Sequence, residues 1–380
     1  MIKRIISLFL GWKFFLLLSL IITVNILPPR IGYSYTLLTY FLEKGSMLSN
    51  FLLYPFGNFD AVYYLLIAAE GYTINAGFFP LFPLLIRILT FPFGNILPFS
   101  LVQYFTAITL VSVLFLASLF IFYKLVKFDY KENIAIGSII FLLVFPTSFF
   151  FSALYSESLF LLLSLLAFYL ARKKKWFWAG IAGALLSSTR LVGIAIWPAL
   201  LYEYFKENKN KINIKTLSLL LPPLGLISYV IYNFYKWSNP FYFIAAQGNF
   251  QNNRTVDSII LFPQTIFRYV KILFSVNPNI YEWWVALSEL GFFVFAVALF
   301  CVAWKNRIRV SYLIFGILCF LIPVSSGTFS GLPRYIAIIF PIFIALALIK
   351  NRILKAIYLA VSLLLLFIFF MLFSKGYFIA

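Results

Sequence analysis

The chain contains no histidine, and this absence restricts the chemistry that it can perform. Zinc sites with histidine ligands and histidine-based catalytic triads are both excluded. Any acid–base step must use a carboxylate, an arginine, a lysine or a tyrosine. The chain has two cysteines, Cys301 and Cys319, and each lies inside an apolar run. A disulfide or a cysteine-bound metal is therefore not expected.

Charged residues are also scarce, since they make up 11% of the 380 residues whereas hydrophobic residues make up 63%. The mean hydropathy is +1.00. These values are far from those of a soluble domain. We therefore predict one all-α polytopic membrane domain over residues 1–380, with about 9–11 transmembrane helices.

The net charge of +19 comes from basic residues that cluster at the ends of apolar runs. This placement indicates membrane topology and contact with anionic membrane lipids rather than nucleic-acid binding. Lys3 and Arg4 precede the first run, which predicts a cytoplasmic N-terminus. That run has no small-residue cleavage site, so we expect a retained first span rather than a signal peptide.

The apolar runs predict alternating spans. They cover residues 5–27, 101–123, 134–151, 159–170, 217–234, 285–304, 310–324, 335–349 and 356–373. The run at 78–93 is too short to count as a full span. The run at 176–204 is interrupted by the polar sequence SSTR, which indicates a hairpin or broken helix, although two miscounted spans are the alternative.

The topology leaves two large loops on the outer side, at residues 29–78 and 236–279. The second contains Asn253, Arg254 and Thr255, an N-glycosylation acceptor pattern. The first is expected to carry short interfacial helices. One of these should begin at Asp60 and end at Gly71.

Acidic residues number 11, and most have an ordinary explanation. Four are expected to form solvated pairs on the cytoplasmic side: Asp129, Glu132, Glu203 and Glu207. Glu289 lies inside a span, where pairing with an arginine and a functional role are both open. Because the outer side has no tight acidic cluster, we predict no metal site and no cofactor, while a weakly held divalent cation stays open.

Asp60 has two interpretations, a helix N-cap or a general base. Glu70 lies ten residues later, about 15 Å along a straight helix, so the two cannot form a close dyad unless the helix breaks. Arg190 lies in an otherwise uncharged apolar stretch and either pairs with Glu157 or Glu289 or binds an anion. Arg334 opens another span on the outer side, where simple snorkelling is the alternative.

One outer carboxylate with outer arginines suits sugar transfer from a lipid phosphate. The leaving phosphate is stable and needs cationic stabilisation, which arginine provides, while the acceptor hydroxyl needs one base. Hydrolases usually need two acids. The alternative is a lipid-linked sugar transporter or flippase, which would make no new glycosidic bond.

Several motifs together resemble the GPI mannosyltransferase II family in its prokaryotic branch. FDAVYYLLIAAEGY followed by FFPLFPLLIR is similar to the family's first-loop signature, with Phe59 in place of the usual tryptophan and Phe82 in place of the usual tyrosine. FPTSFFFSALYSESLFLLLS, SSTRLVGI and GLPRYIAIIFPIF are similar to its later segments, in the same order.

The resemblance implies a GT-C-type bundle and an inverting transfer of mannose or a related hexose on the outer face of the cell membrane. The donor would be a dolichyl- or polyprenyl-phosphate sugar, and the acceptor a lipid or glycan. Asp60 matches the family's catalytic acid. Substrate-binding candidates, carried over from the matched motifs or, like Glu70, taken from the same loop, are Tyr64, Glu70, Tyr72, Glu157, Arg190, Arg334 and Tyr335.

Overall fold

The computed structural model describes residues 1–28, 30, 53–73, 75–94, 98–209, 211–249 and 260–379. Within these ranges the chain is helical and has no β-strand. The α-helices are Ile2–Ile26, Asp60–Glu70, Leu81–Thr90, Leu101–Val126, Glu132–Leu143, Glu157–Arg172, Trp176–Ser187, Ile196–Glu207, Leu221–Trp237, Tyr242–Ala245, Phe262–Ser275, Tyr281–Lys305, Val310–Val324, Leu332–Ala337, Pro341–Leu348 and Arg352–Ser374. The glycosylation pattern at 253–255 and residues 31–52 of the first outer loop lie outside the described residues.

Five helical segments of the described chain are long and apolar enough to cross a membrane: Ile2–Val24, Leu101–Val126, Ile214–Trp237, Tyr281–Lys305 and Arg352–Ser374. Shorter apolar helices cover Leu81–Phe93, Glu132–Leu143, Trp176–Ser187 and Val310–Val324. The predicted class, an all-α polytopic membrane protein, is confirmed. The short helix at Leu81–Thr90 also agrees with the expectation that residues 78–93 are not a full span.

Two predicted continuous spans are wrong because a proline ends each helix early. The run at 134–151 is a helix only over Glu132–Leu143, and Pro146 follows its end. The run at 335–349 is divided into Leu332–Ala337 and Pro341–Leu348. Proline has no backbone N–H and disfavours helical geometry in the preceding residue, which favours the end of each helix at these positions.

The run at 176–204 is a broken helix, as its polar interruption predicts. Helix Trp176–Ser187 ends at SSTR, a 3₁₀ turn covers Leu191–Ala195, and helix Ile196–Glu207 follows. The chain folds back so closely that a Cβ on Gly193 would lie 2.3 Å from the carbonyl oxygen of Leu186. Each helix has 12 residues, about 18 Å, which is too short for a separate span.

The chain forms two compact units. The first comprises Met1–Thr73, Phe78–Leu165 and Lys350–Ile379, and the second comprises mainly Leu166–Ile349 with the short segment Ile74–Gly77. Below they are called unit 1 and unit 2.

Aromatic side chains fill the centre of unit 1. The rings of Phe115 and Phe151 are stacked with centroids 4.6 Å apart, and Trp12 packs on Phe115 at 5.0 Å. The indole N–H of Trp12 donates to the hydroxyl of Ser148 at 3.1 Å. Offset and edge contacts between rings stabilise the fold by about 0.5–1.5 kcal/mol per pair, beyond the stabilisation that comes from burying the apolar area of the rings. These contacts join the first helix to the segment around residues 148–158.

Small residues allow two helices of unit 2 to approach closely. Helix Trp176–Ser187 lies against helix Leu221–Trp237, where a Cβ on Gly225 would lie 1.8 Å from the carbonyl oxygen of Ala184. The hydroxyl of Ser187 donates to the carbonyl of Pro222 at 2.6 Å. Close approach at small residues with a side-chain hydrogen bond is the typical way in which helices pack within membranes.

Glu203 is not a solvated acid, and the expectation stated above is wrong for this residue. It is completely buried in unit 2 and accepts hydrogen bonds from Arg309 and from the hydroxyl of Ser311, the latter at 2.6 Å. Arg309 also reaches Glu207 at 3.0 Å. Because Arg309 lies 106 residues away in the sequence, local charge patterning does not indicate this pair.

Candidate active site

The backbone turns sharply immediately before Asp60. Phe59 has φ 56° and ψ −116°, a backbone conformation that residues other than glycine rarely adopt. Helix Asp60–Glu70 begins at the next residue. Such strain, on the order of 1–3 kcal/mol, persists only where surrounding contacts hold it. The helix cap is therefore Phe59, and Asp60 occupies the first turn, so the N-cap interpretation of Asp60 is wrong.

The turn is held by the YSES segment of the same unit. The hydroxyl of Tyr155 donates to the carbonyl of Asn58 at 2.9 Å and accepts from the N–H of Asp60 at 3.3 Å. The amide of Asn58 donates to the carbonyl of Phe373 at 2.8 Å. The ring of Phe59 also packs on Phe373 at 5.6 Å. The Asp60 side chain is half-buried, so it can be fixed in position and still reach a substrate.

Tyr64 and Glu157 lie on the buried side of this arrangement. The hydroxyls of Tyr64 and Ser156 are 3.0 Å apart, and the Tyr64 ring packs edge-on against Phe78 and Phe82 at 5.0 Å. Glu157 is completely buried and is the first residue of helix Glu157–Arg172. An acid in the first turn is favoured by the helix dipole. The FFP and YSES motifs thus meet through Tyr64.

The far end of the first-loop helix is closed by local contacts. Gly71 has φ 86° and its N–H donates to the carbonyl of Ile67 at 2.9 Å, as expected for the predicted helix stop. Tyr72 donates its hydroxyl proton to the carbonyl of Phe78 at 2.7 Å. Glu70 is exposed at this end. The helix is unbroken from Asp60 to Glu70, so the two acids form no close dyad, as predicted.

The remaining three predicted substrate-binding residues, Arg190, Arg334 and Tyr335, lie close together in unit 2. The guanidinium carbon of Arg190 lies 4.7 Å from the ring centroid of Tyr335, and that of Arg334 lies 5.8 Å from the same centroid. Arg190 follows the end of helix Trp176–Ser187, while Arg334 is buried in helix Leu332–Ala337. An aromatic face attracts guanidinium groups. This arginine–tyrosine cluster concentrates two cations and can bind an anion in a forked geometry.

Two residues near the first loop have contacts that the sequence did not predict. Tyr155 lies two residues before Glu157 in the YSES segment, but no local sequence pattern indicates that its hydroxyl contacts the backbone of Asn58 and Asp60. Lys13, within the first span, donates to the hydroxyls of Ser152 at 2.5 Å and Ser112 at 3.1 Å. A single lysine inside an apolar run is a usable signal for a buried polar contact.

The described residues contain no group of three or more acids, cysteines or histidines that could hold a metal ion. The expectation that the protein works without a cofactor stays a prediction.

Comparison of the sequence with family models identifies one match in the first half of the chain. The model described as Mannosyltransferase (PIG-V) matches residues 2–194, which is 193 of the 380 residues. The match includes the first-loop motif, the YSES segment and the segment that contains Arg190. It confirms the predicted family resemblance. Among curated proteins, none matches the sequence.

Three crystal structures of an Archaeoglobus fulgidus oligosaccharyltransferase are similar to this chain: one tethered with an acceptor peptide containing the NVT sequon, one with Zn and sulfate, and one in the apo form. Their identities are 12%, 14% and 14%, and their TM-scores are 0.48, 0.45 and 0.46. They cover 98%, 96% and 97% of this chain, which spans 55%, 53% and 56% of their length. The family assignment rests on the family model alone.

Proposed function

Because the chain belongs to the Mannosyltransferase (PIG-V) family, it is a membrane glycosyltransferase, and we propose that it moves mannose from a dolichyl- or polyprenyl-phosphate donor to a lipid or glycan acceptor. The observation that carries this proposal is the arginine–tyrosine cluster. Arg190 and Arg334, on separate segments of unit 2, share the ring of Tyr335. A phosphate monoanion or diester is the type of group that two guanidinium forks bind.

The cations are needed because of the way in which the donor reacts. The bond between the sugar C1 and the phosphate oxygen breaks, and the negative charge that develops remains on the lipid phosphate. Arginine donors placed at that oxygen stabilise the charge in the transition state. The phosphate is a good leaving group once its charge is stabilised, so no general acid is required.

The acceptor requires a base. In the proposed inverting reaction, the acceptor hydroxyl oxygen attacks C1 from the face opposite to the phosphate, and Asp60 takes the hydroxyl proton. A positioned base contributes typically about 10²–10⁴-fold to the rate. The half-buried position of Asp60 and the restraint of its backbone by Tyr155 support this role.

We place the reaction on the outer face of the cell membrane, with the N-terminus in the cytoplasm. The basic residues of ARKKK, between helices Glu157–Arg172 and Trp176–Ser187, support a cytoplasmic position for that turn. Asp60 and the FSALYSES segment then fall on the opposite side in the order of the chain. Residues 1–380 are proposed to act as one catalytic domain.

The test is a transfer assay with purified protein in proteoliposomes that contain labelled polyprenyl-phosphate hexoses and a lipid extract of the source cell. Mass spectrometry of the products should detect a new glycosidic bond and release of the lipid phosphate, with mannose preferred over glucose. A donor that crosses the bilayer faster in the presence of the protein, with no new bond, would instead identify a flippase.

A further inference from the structure

Helix Phe262–Ser275 of unit 2 has three distinct faces. Thr265 and Tyr269 are buried in the protein. Phe267, Val270 and Phe274 form an apolar stripe that no described segment of the chain buries, with exposures of 68%, 37% and 89%. A polar stripe lies beside it and consists of exposed side chains: Gln264, Arg268, Lys271 and Ser275.

The spacing explains why these are separate faces. Positions 267, 270 and 274 recur at three and four residues and therefore share one side of the helix. Positions 264, 268, 271 and 275 recur in the same way and are rotated by about 60–100° from the apolar stripe. A helix in water would bury its phenylalanines, whereas a helix at a lipid surface needs an apolar face next to a polar one.

The position of the helix in the chain identifies what covers the apolar stripe. The indole N–H of Trp283 donates to the carbonyl of Leu273 at 3.0 Å, which joins the end of this helix to the start of the membrane-spanning helix Tyr281–Lys305. The neighbouring Trp284 is 58% exposed. Tryptophans at the end of a span lie at the level of the lipid headgroups.

We propose that helix Phe262–Ser275 lies in the membrane interface, with Phe267, Val270 and Phe274 among the acyl chains and the polar stripe toward the headgroups. Arg268 and Lys271 lie on the headgroup side, where they attract anionic lipids. This helix belongs to the stretch expected from the sequence to be an outer loop, and the proposal makes it a lipid-bound element.

The buried face connects this lipid contact with the arginine–tyrosine cluster. The hydroxyl of Tyr269 donates to Glu289 at 2.5 Å and accepts from the N–H of Phe329 at 2.9 Å. Burial, and then the charge of Glu289, raise the pKa of the Tyr269 phenol, which keeps it a donor. Arg268 donates to the carbonyl of Gly327 at 3.2 Å. The helix therefore holds the loop that precedes Arg334 at the level of the lipid headgroups.

Site-directed spin labelling tests the position of the helix. Single cysteines would replace Phe267, Val270 and Phe274 on the apolar stripe and Gln264, Lys271 and Ser275 on the polar stripe, in the full chain with Cys301→Ser and in anionic vesicles. Accessibility to oxygen and to a water-soluble nickel complex would be measured for each nitroxide. We expect several-fold higher oxygen accessibility on the apolar stripe and several-fold higher nickel accessibility on the polar stripe.

Two results would overturn the proposal. Equal nickel accessibility at all six positions would place the helix in water. Low accessibility to both reagents on the apolar stripe, with spin–spin broadening, would place a second copy of the chain on it. Because labelling could disturb folding, the unmodified protein in nanodiscs should also be irradiated with phospholipids that carry a photoactivatable acyl chain. Adducts should map to the peptide that contains residues 267–274, and their absence there would contradict the proposal.

Discussion

The hydroxyl of Tyr155 lies 2.9 Å from the carbonyl oxygen of Asn58, two residues before Asp60. The same hydroxyl accepts the N–H of Asp60 at 3.3 Å. One side chain thus bridges both sides of Phe59, whose φ of 56° is unfavourable for a residue with a Cβ. The strained turn is maintained by a residue of the YSES motif, so the two motifs form one local structure in this chain.

Replacing this tyrosine by phenylalanine should loosen the turn. Tyr155→Phe keeps the ring and removes two hydrogen bonds, each with a net value of about 0.5–1.5 kcal/mol. We expect the free energy of unfolding in detergent to fall by about 1–3 kcal/mol and the turnover rate to fall as well. Tyr235→Phe is the matched control, because Tyr235 is 82% exposed. If both variants had the melting temperature and the turnover rate of the wild type, Tyr155 would not hold the turn.

Removing the charge of Asp60 should abolish transfer without unfolding the protein. Asp60→Asn retains the shape of the side chain but cannot accept a proton, so turnover should fall by about 10²–10⁴-fold. The control is Glu282→Gln, since Glu282, like Asp60, is an acid in the first turn of a helix, but it is exposed to solvent. Product formation per folded molecule is the measurement, and full activity of Asp60→Asn would rule out the base.

The ring of Tyr335 should matter for donor affinity more than its hydroxyl does. Tyr335→Leu removes the face shared by Arg190 and Arg334, a cation–π contribution of about 0.5–2 kcal/mol. The KM for the lipid-phosphate donor should then rise roughly 2- to 30-fold, with a smaller change for the acceptor. Tyr335→Phe should stay near wild type. Equal KM values for the two variants would show that the ring does not organise the cluster.

Breaking the Glu203–Arg309 pair should destabilise unit 2. Arg309→Ala leaves the carboxylate of Glu203 buried and uncompensated, which costs about 3–5 kcal/mol. Lys174→Ala provides the comparison, since the Lys174 side chain is 73% exposed and lies 4.0 Å from Glu207. We expect little effect there, as is usual for exposed pairs. Chemical denaturation of both variants distinguishes a buried pair from a superficial one.

Two glycines with different surroundings test the close helix contact of unit 2. A methyl group at Gly225 would overlap the carbonyl oxygen of Ala184, whereas one at Gly291 would meet no atom within 4 Å. Gly225→Ala should therefore lower stability by about 1–3 kcal/mol through overpacking. Gly291→Ala should be neutral or stabilise its helix by up to about 1 kcal/mol. Similar melting temperatures for the two variants would contradict the packing.

Local rules explain which parts of the fold were predictable. The first-loop helix begins at Asp60 and ends at Gly71 as expected, because helix termination depends on neighbouring residues. The break at SSTR was predictable for the same reason. The interruptions before Pro146 and Pro341 follow from an equally local rule. Both runs were nevertheless predicted as continuous spans because their hydropathy is high.

Long-range contacts explain which parts were not predictable. The sequence showed that Glu203 lies among basic residues but not that it is buried, since its partner Arg309 is 106 residues away. Lys13 lies inside the first predicted span, and its two serine partners are 99 and 139 residues distant. The spacing of residues along the chain determines which of them share one face of a helix. It does not determine which distant helix packs against that face.

The sequence by itself determined the membrane class, the absence of histidine chemistry, the family and the first-loop helix that begins at Asp60. These properties depend on composition, on ordered motifs or on contacts within one turn. Only the tertiary structure decided that Arg190 and Arg334 share the ring of Tyr335, and that Tyr155 holds the turn before Asp60. Close packing selects one arrangement of helices, and that selection brings together side chains that no local pattern connects.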